Sequence, residues 1–504
     1  MAHFDVRIED GVSDVTLGQL AADRLRAEST LLILDNVETL LTAEQRQWKD
    51  SAYEQFLLRW VGGSDRAAPG QIKSRQSVVM MTSREEPDMP NNLMRYCRWY
   101  DLSGLMVNAG VGLLEELGVL GDNDSLTTFV SQSAGHPLLL KLAAGWLQVE
   151  EADEPRIEYL RNIDGLNLFE FMGAHRGEPE TSVRRILEAT LSRLPAQMAE
   201  LLPALSLYRR TFSLAAAQVM SRETLVDADL RKLVKRSLLQ AKKQTKGGER
   251  LWLFEFQPLI QRYLQPQADK RNHQKAIDYY LRVRQPVLGA TDDLSATAEY
   301  QEIFHHQCEL ENYAQALRLL RIVTDENKRY SSCDMVLQLR GYNAIRLILY
   351  ERLAQAWKTQ LWQPQEIDEI RLVGDTLQTL GDVLQFLKRS NEAIANYDEA
   401  LTIYRAVGDR LGEANTLKAL GRLQEDVQQG LAYLQSAQTL YEQINDIYSQ
   451  GVNLYYLGNM YAQLQQYESA LSALQTAIAR GKQINFAPLI EAAEQAIQDL
   501  SSDG

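Results

Sequence analysis

Three cysteines in 504 residues (Cys97, Cys308 and Cys333) cannot build a disulfide framework, which favours a reducing cytoplasm over an oxidising compartment. No apolar run approaches the roughly 20 residues that a membrane-spanning helix needs. The opening residues, Met1 to Asp10, lack the basic-then-apolar order of a secretory signal. Positive charge is also short: 53 Lys and Arg against 67 Asp and Glu leave a net charge of −14, which disfavours general affinity for nucleic acid or anionic membrane. Nowhere is there a G-x-x-x-x-G-K-[ST] loop, whose backbone amides and lysine hold phosphates. A G-x-S-x-G nucleophile elbow is missing too. What is present, 45% hydrophobic residues over a length worth several domains, describes a folded, acidic, multi-domain cytoplasmic protein.

Residues 1–104 carry strand-like runs. Leu31–Leu34 and Val78–Met81 are short continuous apolar runs, as expected of parallel strands buried on both faces. Val12–Leu17 is a further candidate strand and Leu20–Ala27 a helix, and the amphipathic stretch Thr42–Trp60 completes a βαβ-type alternation. Residues 105–180 turn helical, over Gly110–Leu117, Leu126–Ser133 and Pro137–Val149, the last starting with proline after Gly135. Residues 181–266 show helical periodicity over Arg184–Leu207, Leu214–Met220 and Leu230–Leu238. Two strand-like stretches around Gly247-Gly248 follow, the pattern of a winged helix.

Residues 267–504 are almost wholly helical and they repeat. Leu377-x-x-Leu-Gly381, Leu417-x-x-Leu-Gly421 and Leu454-x-x-Leu-Gly458 share one frame, spaced by 40 and then 37 residues. Small residues (Ala393 and Ala400, Ala437, Ala470 and Ala477) follow in each second helix, and Tyr404 and Tyr441 correspond. Small residues let helices approach while leucines fill between them, so stacked units bury a continuous core. The three-residue shortening is expected in the second unit's inter-helix turn. An earlier unit is expected around Tyr300–Ile322.

In this order the pieces resemble the STAND class of signalling ATPases in the bacterial NB-ARC, winged-helix and tetratricopeptide-repeat arrangement. Leu32-Ile-Leu-Asp35-Asn36-Val-Glu38 resembles that family's Walker B strand, and Thr82-Ser-Arg84 its sensor-one motif. Gly135-His-Pro137 resembles its G-x-P motif, and Leu233-Val-Lys-Arg-Ser237-Leu-Leu the signature before its winged-helix hairpin. Gln257 stands where the family has the histidine that reads the ADP state.

The resemblance implies a mainly α, multi-domain fold. Its parts are a partial P-loop α/β domain (1–104), a helical ARC subdomain (105–180), a winged helix (181–266) and a C-terminal TPR α-solenoid (267–504). It implies ADP or ATP with Mg²⁺ as cofactor, with Asp35, Arg84, Pro137 and Gln257 at the nucleotide and Asp35 on the metal. The family's phosphate loop and the strand before it are absent, and the family's next segment begins near Phe4. The expected function is thus a truncated form of an ADP/ATP-gated signalling switch. It senses a protein or peptide partner through the concave TPR surface, with nucleotide turnover weak or absent. The alternative is a non-enzymatic TPR scaffold carrying an ATPase remnant.

Plainer roles stand beside each of these. Asp35 can cap the turn after its strand, Glu38 can be a solvated helix-start residue, Arg84 can pair with Glu85 or Glu86, and Pro137 can simply start a helix. His136 reads as a loop residue. His305-His306-x-Cys308 lacks a second ligand pair at metal spacing. The densest basic cluster (Arg231, Lys232, Lys235, Arg236, Lys242, Lys243, Lys246 and Arg250) can place a winged helix on DNA, but lysines also protect hairpin edges. Tyr397, Tyr404, Tyr433, Tyr455, Tyr456 and Tyr461 divide between inter-helix packing and partner contact. The open edge of a shortened sheet predicts limited solubility or a need for a partner.

Overall fold

The structure is a computed structural model that describes residues 18–19, 21–23, 25, 30–35, 37–42, 46–48, 51–62, 78–83, 86–89, 91–94, 96–100, 102–163, 165–176, 178–246, 249–286, 294–323 and 332–502. Val12–Leu17, Asn36 and Arg84 lie outside the described residues, and the Leu20–Ala27 helix is described only in part. Two compact units emerge: 1–100 with 343–354 and 364–504, and 101–342 with 355–363. The architecture is mainly helical, and among the described residues no helix is long and apolar enough to cross a membrane.

In the first unit, β1 (Leu31–Leu34) and β2 (Val78–Met81) pair in parallel, with Leu31 opposite Val78 and Leu34 opposite Met81. The direction is the expected one, but the burial is not. Leu31, Ile33, Val78 and Met80 are 51–59% exposed, so the pair is not covered on both faces. Side chains alternate across a strand, and an apolar run by itself does not say how many layers will cover it. Met81 turns inward, against a small cluster of Leu57, Met89 and Leu93.

The second unit is built around the helix Pro137–Glu150. Leu139, Leu140, Leu142, Ala143, Ala144, Trp146 and Leu147 are all buried, so this helix is apolar over most of its circumference and takes the centre. One core runs from Leu114 to Ile303 without a break at residue 180 or 266. The expected single periodicity over Arg184–Leu207 resolves into two helices, Pro179–Ser192 and Ala196–Leu205. Pro195 separates them, because a residue before proline avoids helical backbone angles. A short strand β3 (Phe212–Ser213) joins the hairpin of β4 (Gln240–Lys246) and β5 (Glu249–Glu255) in the order β3-β5-β4.

A backbone contact and an ion pair bind the helix 137–150 to the turn after Asp227–Lys235. A Cβ added at Gly145 would lie 2.6 Å from the carbonyl carbon of Arg236, so only glycine allows the approach. At the helix end the Arg236 guanidinium meets Glu150 at 2.7 Å, with side chains only 10% and 16% exposed. Arg193 joins the same carboxylate at 3.3 Å. A second ion pair ties Arg209 to the buried Glu302 through both carboxylate oxygens, at 3.2 and 3.0 Å.

The repeats form a solenoid of paired helices: Ile367–Phe386 with Ser390–Val407, Arg410–Leu423 with Val427–Gln443, and Ile447–Gln463 with Tyr467–Gln483, followed by Ala487–Ser502. Asp409, Asp426 and Asp446 each start a helix by accepting a backbone N–H, from Gly412, Gln428 and Ser449 at 2.9, 2.9 and 3.0 Å. The shortening between repeats is not in the inter-helix turn. Residues 387–389 and 424–426 are turns of equal length, whereas the helix after Gly421 stops at Leu423 and the one after Gly381 continues to Phe386. Asp426 fixes the start of the next helix, so the missing residues come from the end of the preceding one.

Glycines mark the helix crossings, both Gly381 of the Leu-x-x-Leu-Gly frame and Gly412 outside it. A Cβ at Gly381 would sit 2.6 Å from the Tyr397 ring, and one at Gly412 would sit 2.5 Å from the Tyr404 ring. Two predictions follow from this packing. Gly412→Ala should destabilise the protein by about 1–3 kcal/mol through overpacking, whereas Gly112→Ala, on a helix with open space, should stabilise it by up to ~1 kcal/mol. Thermal unfolding followed by circular dichroism separates the two. Glu150→Ala should cost about 3–5 kcal/mol by stranding a buried guanidinium, and the Glu150→Leu/Arg236→Met double variant should recover most of it in the same assay.

Candidate functional site

The strand pair positions Asp35, one of the residues expected at a nucleotide. Asp35 follows β1 and accepts a hydrogen bond from the Thr82 hydroxyl at the end of β2. The backbone closes around it, Thr82 N–H donating to Leu34 at 2.9 Å and Val37 N–H to Thr82 at 2.9 Å. Glu38 lies half-buried in the first turn of the short helix Val37–Leu40. Asp35 thus offers one exposed carboxylate. Among the described residues no group of three His, Cys, Asp or Glu side chains is arranged to hold a metal ion, here or at His305-His306-x-Cys308. His306 is instead buried against His273, with the two Nδ1 atoms 2.9 Å apart.

Pro137 and Gln257 stand in the second unit. Pro137 is the exposed first residue of its helix, capped by His136 Nδ1, which accepts from Leu139 N–H at 3.4 Å. Burial lowers the affinity of His136 for a proton, partly offset by Glu180. The turn before it is tight: a Cβ at Gly135 would lie 2.1 Å from the Leu105 carbonyl oxygen. Gln257 is the half-buried residue before the helix Pro258–Leu264, and its side chain makes no capping bond.

The basic cluster around the hairpin is largely spent on its own neighbours. Arg231 pairs with Asp227, Lys232 with Asp229 at 3.1 Å, Arg236 with Glu150 and Lys242 with Glu255 at 2.6 Å. Arg231 and Lys243 also lie over the Trp252 ring, at 4.6 and 4.8 Å. Side chains of Lys246 and Arg250 lie outside the described residues.

A different set of polar groups comes together along the first helices of the repeats. Tyr404 donates to Asp375 at 2.7 Å and to Gln378 at 3.0 Å. Tyr397 does the same to Asp382 at 2.7 Å and Gln385 at 3.1 Å. Tyr441 donates to Asn415 at 2.7 Å. These three tyrosines are at most 1% exposed and are inter-helix packing, while Tyr433, Tyr455, Tyr456 and Tyr461 are only half-buried. Each phenol therefore passes between helices and delivers its hydroxyl to a carboxylate or amide of the neighbouring first helix.

Lys418 and Arg422 stand one turn apart on the helix Arg410–Leu423, over the rings of Tyr441 and Tyr456 at 5.5 and 4.5 Å. Sequence reading missed them, yet the repeat frame marks them: Asp375, Gln378 and Asp382 recur 40 residues on as Asn415, Lys418 and Arg422. Burial first, and the like charge of Arg422 second, push the Lys418 amine down, with Asp382 and Asp446 pulling the other way. Asp382 is exposed on the wall yet closely surrounded by protein atoms, and the loss of water around its carboxyl pushes it up against the pull of Tyr397, Arg346, Lys418 and Arg422.

Residues 373–426 match the tetratricopeptide repeat family. The matched tetratricopeptide stretch holds Asp375, Asp382, Tyr397, Tyr404, Lys418 and Arg422. A WD repeat-containing protein of Nostoc is 26% identical over 262 residues, which is 49% of this chain and 18% of that protein. The chain therefore spans under a fifth of the length of that curated relative. Among solved structures, a STAND protein with a tetratricopeptide repeat sensor from Pyrococcus horikoshii aligns over 98% of this chain and 68% of its own, at 14% identity and a TM-score of 0.43. Aspartyl phosphate phosphatase F of Bacillus subtilis aligns over 72% of this chain and 82% of its own, at 13% identity and a TM-score of 0.32.

A carboxyl pushed up by the fold is one that the folded state prefers protonated, so stability falls as pH rises through its folded titration range. Asp382→Asn keeps an oxygen for the Tyr397 hydroxyl and removes that cost. Thermal unfolding of Asp382→Asn should show a higher midpoint than wild type at pH 7, and the gain should vanish below about pH 4.

Proposed function

We propose that this chain acts by protein recognition, its tetratricopeptide solenoid taking an extended segment of a partner along the wall formed by the first helices of the repeats. The observation that carries this reading is the polar array of Asp375, Gln378, Asp382, Asn415, Lys418 and Arg422, set in one frame on the first helices of consecutive helix pairs inside the matched stretch. Stacked helix pairs present such walls as extended binding surfaces. The order of motifs further supports placing the chain in a signalling protein of the STAND type, in which the solenoid is the sensor and the segment before it the switch.

ADP or ATP with Mg²⁺ is the cofactor this reading implies, the nucleotide supplying the free-energy difference between two states of such a switch. The described residues meet it only in part. Asp35 provides one oxygen at a strand end, and the sequence has no loop of amides and lysine to cradle phosphates. We therefore assign no turnover step to these residues and propose that nucleotide hydrolysis is weak or absent in this chain.

Two measurements on the full chain test the reading. Selection from a displayed library of random dodecapeptides should yield ligands whose binding is lost in Gln378→Trp, which plants bulk in the wall; no enrichment, or binding unchanged by that substitution, would overturn it. Calorimetric titration with ATP and Mg²⁺ should show no heat of binding up to millimolar nucleotide. Tight magnesium-dependent binding, lost in Asp35→Ala, would instead mark an autonomous nucleotide switch.

A further inference from the structure

We propose that His273 and His306 make the join between the helices Arg271–Val283 and Ala298–Glu309 acid-sensitive, so that it stays closed with at most one added proton on the pair and opens when both rings are charged.

The two rings meet inside the protein. His273 is 7% exposed and His306 is fully buried, with their Nδ1 atoms 2.9 Å apart. A neutral imidazole carries one N–H donor and one acceptor, so one Nδ1 donates and the other accepts. A single added proton is compatible with this bond, because a charged ring donates and a neutral partner accepts. A second proton is not. Both Nδ1 atoms would then carry hydrogen, and two buried positive charges would face each other at hydrogen-bond distance.

The charged groups around the pair add to that cost. Glu302, one turn before His306, is held through both oxygens by Arg209 at 3.2 and 3.0 Å. Lys270, one turn before His273, faces Glu311 at 3.6 Å. The His305 ring lies 5.2 Å from that of His306 and 6.4 Å from that of His273, and its own acid is Glu309 at 4.0 Å. A charged His305 therefore repels the pair. Tyr280 stacks on His306 with ring centres 6.0 Å apart, and burial pushes its phenol up, so it stays neutral while the positive charges of Arg209 and Arg210 reach it.

Opening here reaches beyond two side chains. Lys275 donates to the Met220 carbonyl at 3.0 Å, and the Tyr279 hydroxyl lies 3.3 Å from that of Ser213 in β3. On the other side, Ala298–Glu309 packs on the helix Tyr313–Arg321. The pair thus sits in the joint between the hairpin sheet and the helices that lead toward the repeats. An opened chain takes two protons as pH falls through the ordinary imidazole value of about 6.5, whereas the closed pair takes one. The closed form is therefore favoured above about pH 6.5, and its opening constant rises by up to about tenfold for each pH unit below that value.

Hydrogen–deuterium exchange on the full chain, read by mass spectrometry, tests this. After correction for intrinsic exchange rates, protection of 271–283 and 298–309 should fall by roughly tenfold or more between about pH 7.5 and pH 5, while that of Val427–Gln443 holds steady. His273→Gln offers an amide oxygen to a charged His306 and an amide N–H to a neutral one, so the fall should shrink to less than about threefold. His306→Gln should do the same. Protection unchanged in the wild type, or falling equally in the wild type and both variants, would overturn the proposal. Should neither variant fold, wild-type protein labelled with carbon-13 at histidine Cε1 gives a second readout by nuclear magnetic resonance. The two buried rings should take up one proton between them over that range while the fold is intact, and two complete titrations would overturn the proposal.

Discussion

A tyrosine ring pressed against a glycine backbone is the contact on which the solenoid depends. Tyr404 fills the space that a Cβ would need at both Gly374 and Gly412, and Tyr397 does the same at Gly381. Because nothing projects from those glycines, the two helices of the repeat, and at Gly412 the first helix of the next, come close enough for each phenol to reach through the contact. Its hydroxyl then bonds a carboxylate on the far side. Packing and polarity are thereby coupled. The same side chain that sets the helix spacing also fixes Asp375 and Asp382 in place, and burial of the ring keeps Tyr397 protonated as a donor by pushing its phenol up.

Engaging those acids has an electrostatic consequence one repeat further on. With Asp382 bonded to Tyr397 and Asp446 capping the next helix, Lys418 and Arg422 rest over aromatic faces and feel those acids only at longer range. Elsewhere the chain spends its cations structurally. Arg236 closes a buried pair with Glu150, Arg209 one with Glu302, and the hairpin lysines and arginines pair within a few ångströms. Density of basic residues in the sequence is thus a poor guide to where charge is available. Eight basic residues cluster around the hairpin, but several are neutralised locally, while two isolated ones on a repeat helix are not.

The second unit illustrates a related point about domain boundaries. Sequence composition divides 105–180 from 181–266, yet the core from Leu114 to Ile303 is continuous. Helix Pro137–Glu150 is apolar over most of its circumference and needs cover from both segments. The glycine approach at Gly145 and the ion pair at Glu150 fasten it to the turn at Arg236. Breaks in composition mark changes of local structure, and a core is decided by which faces remain to be buried.

Much of the solenoid was legible in the sequence. A strict leucine-glycine frame has few physical solutions, since small residues and leucines at fixed spacing specify helix pairs that stack. The helix starts at Asp409, Asp426 and Asp446 follow from capping chemistry, and the parallel direction of Leu31–Leu34 and Val78–Met81 follows from their apolar runs. Beyond local rules, only the tertiary structure decided three things. It left one set of strand side chains exposed, because cover comes from distant segments. The repeat shortening fell at a helix end, because a cap in the next helix fixes the turn. Among the described residues Lys418 and Arg422 emerged as cations without an ion pair, because an ion pair depends on which acids a fold brings within reach, and the nearest acids lie up to one repeat away in sequence.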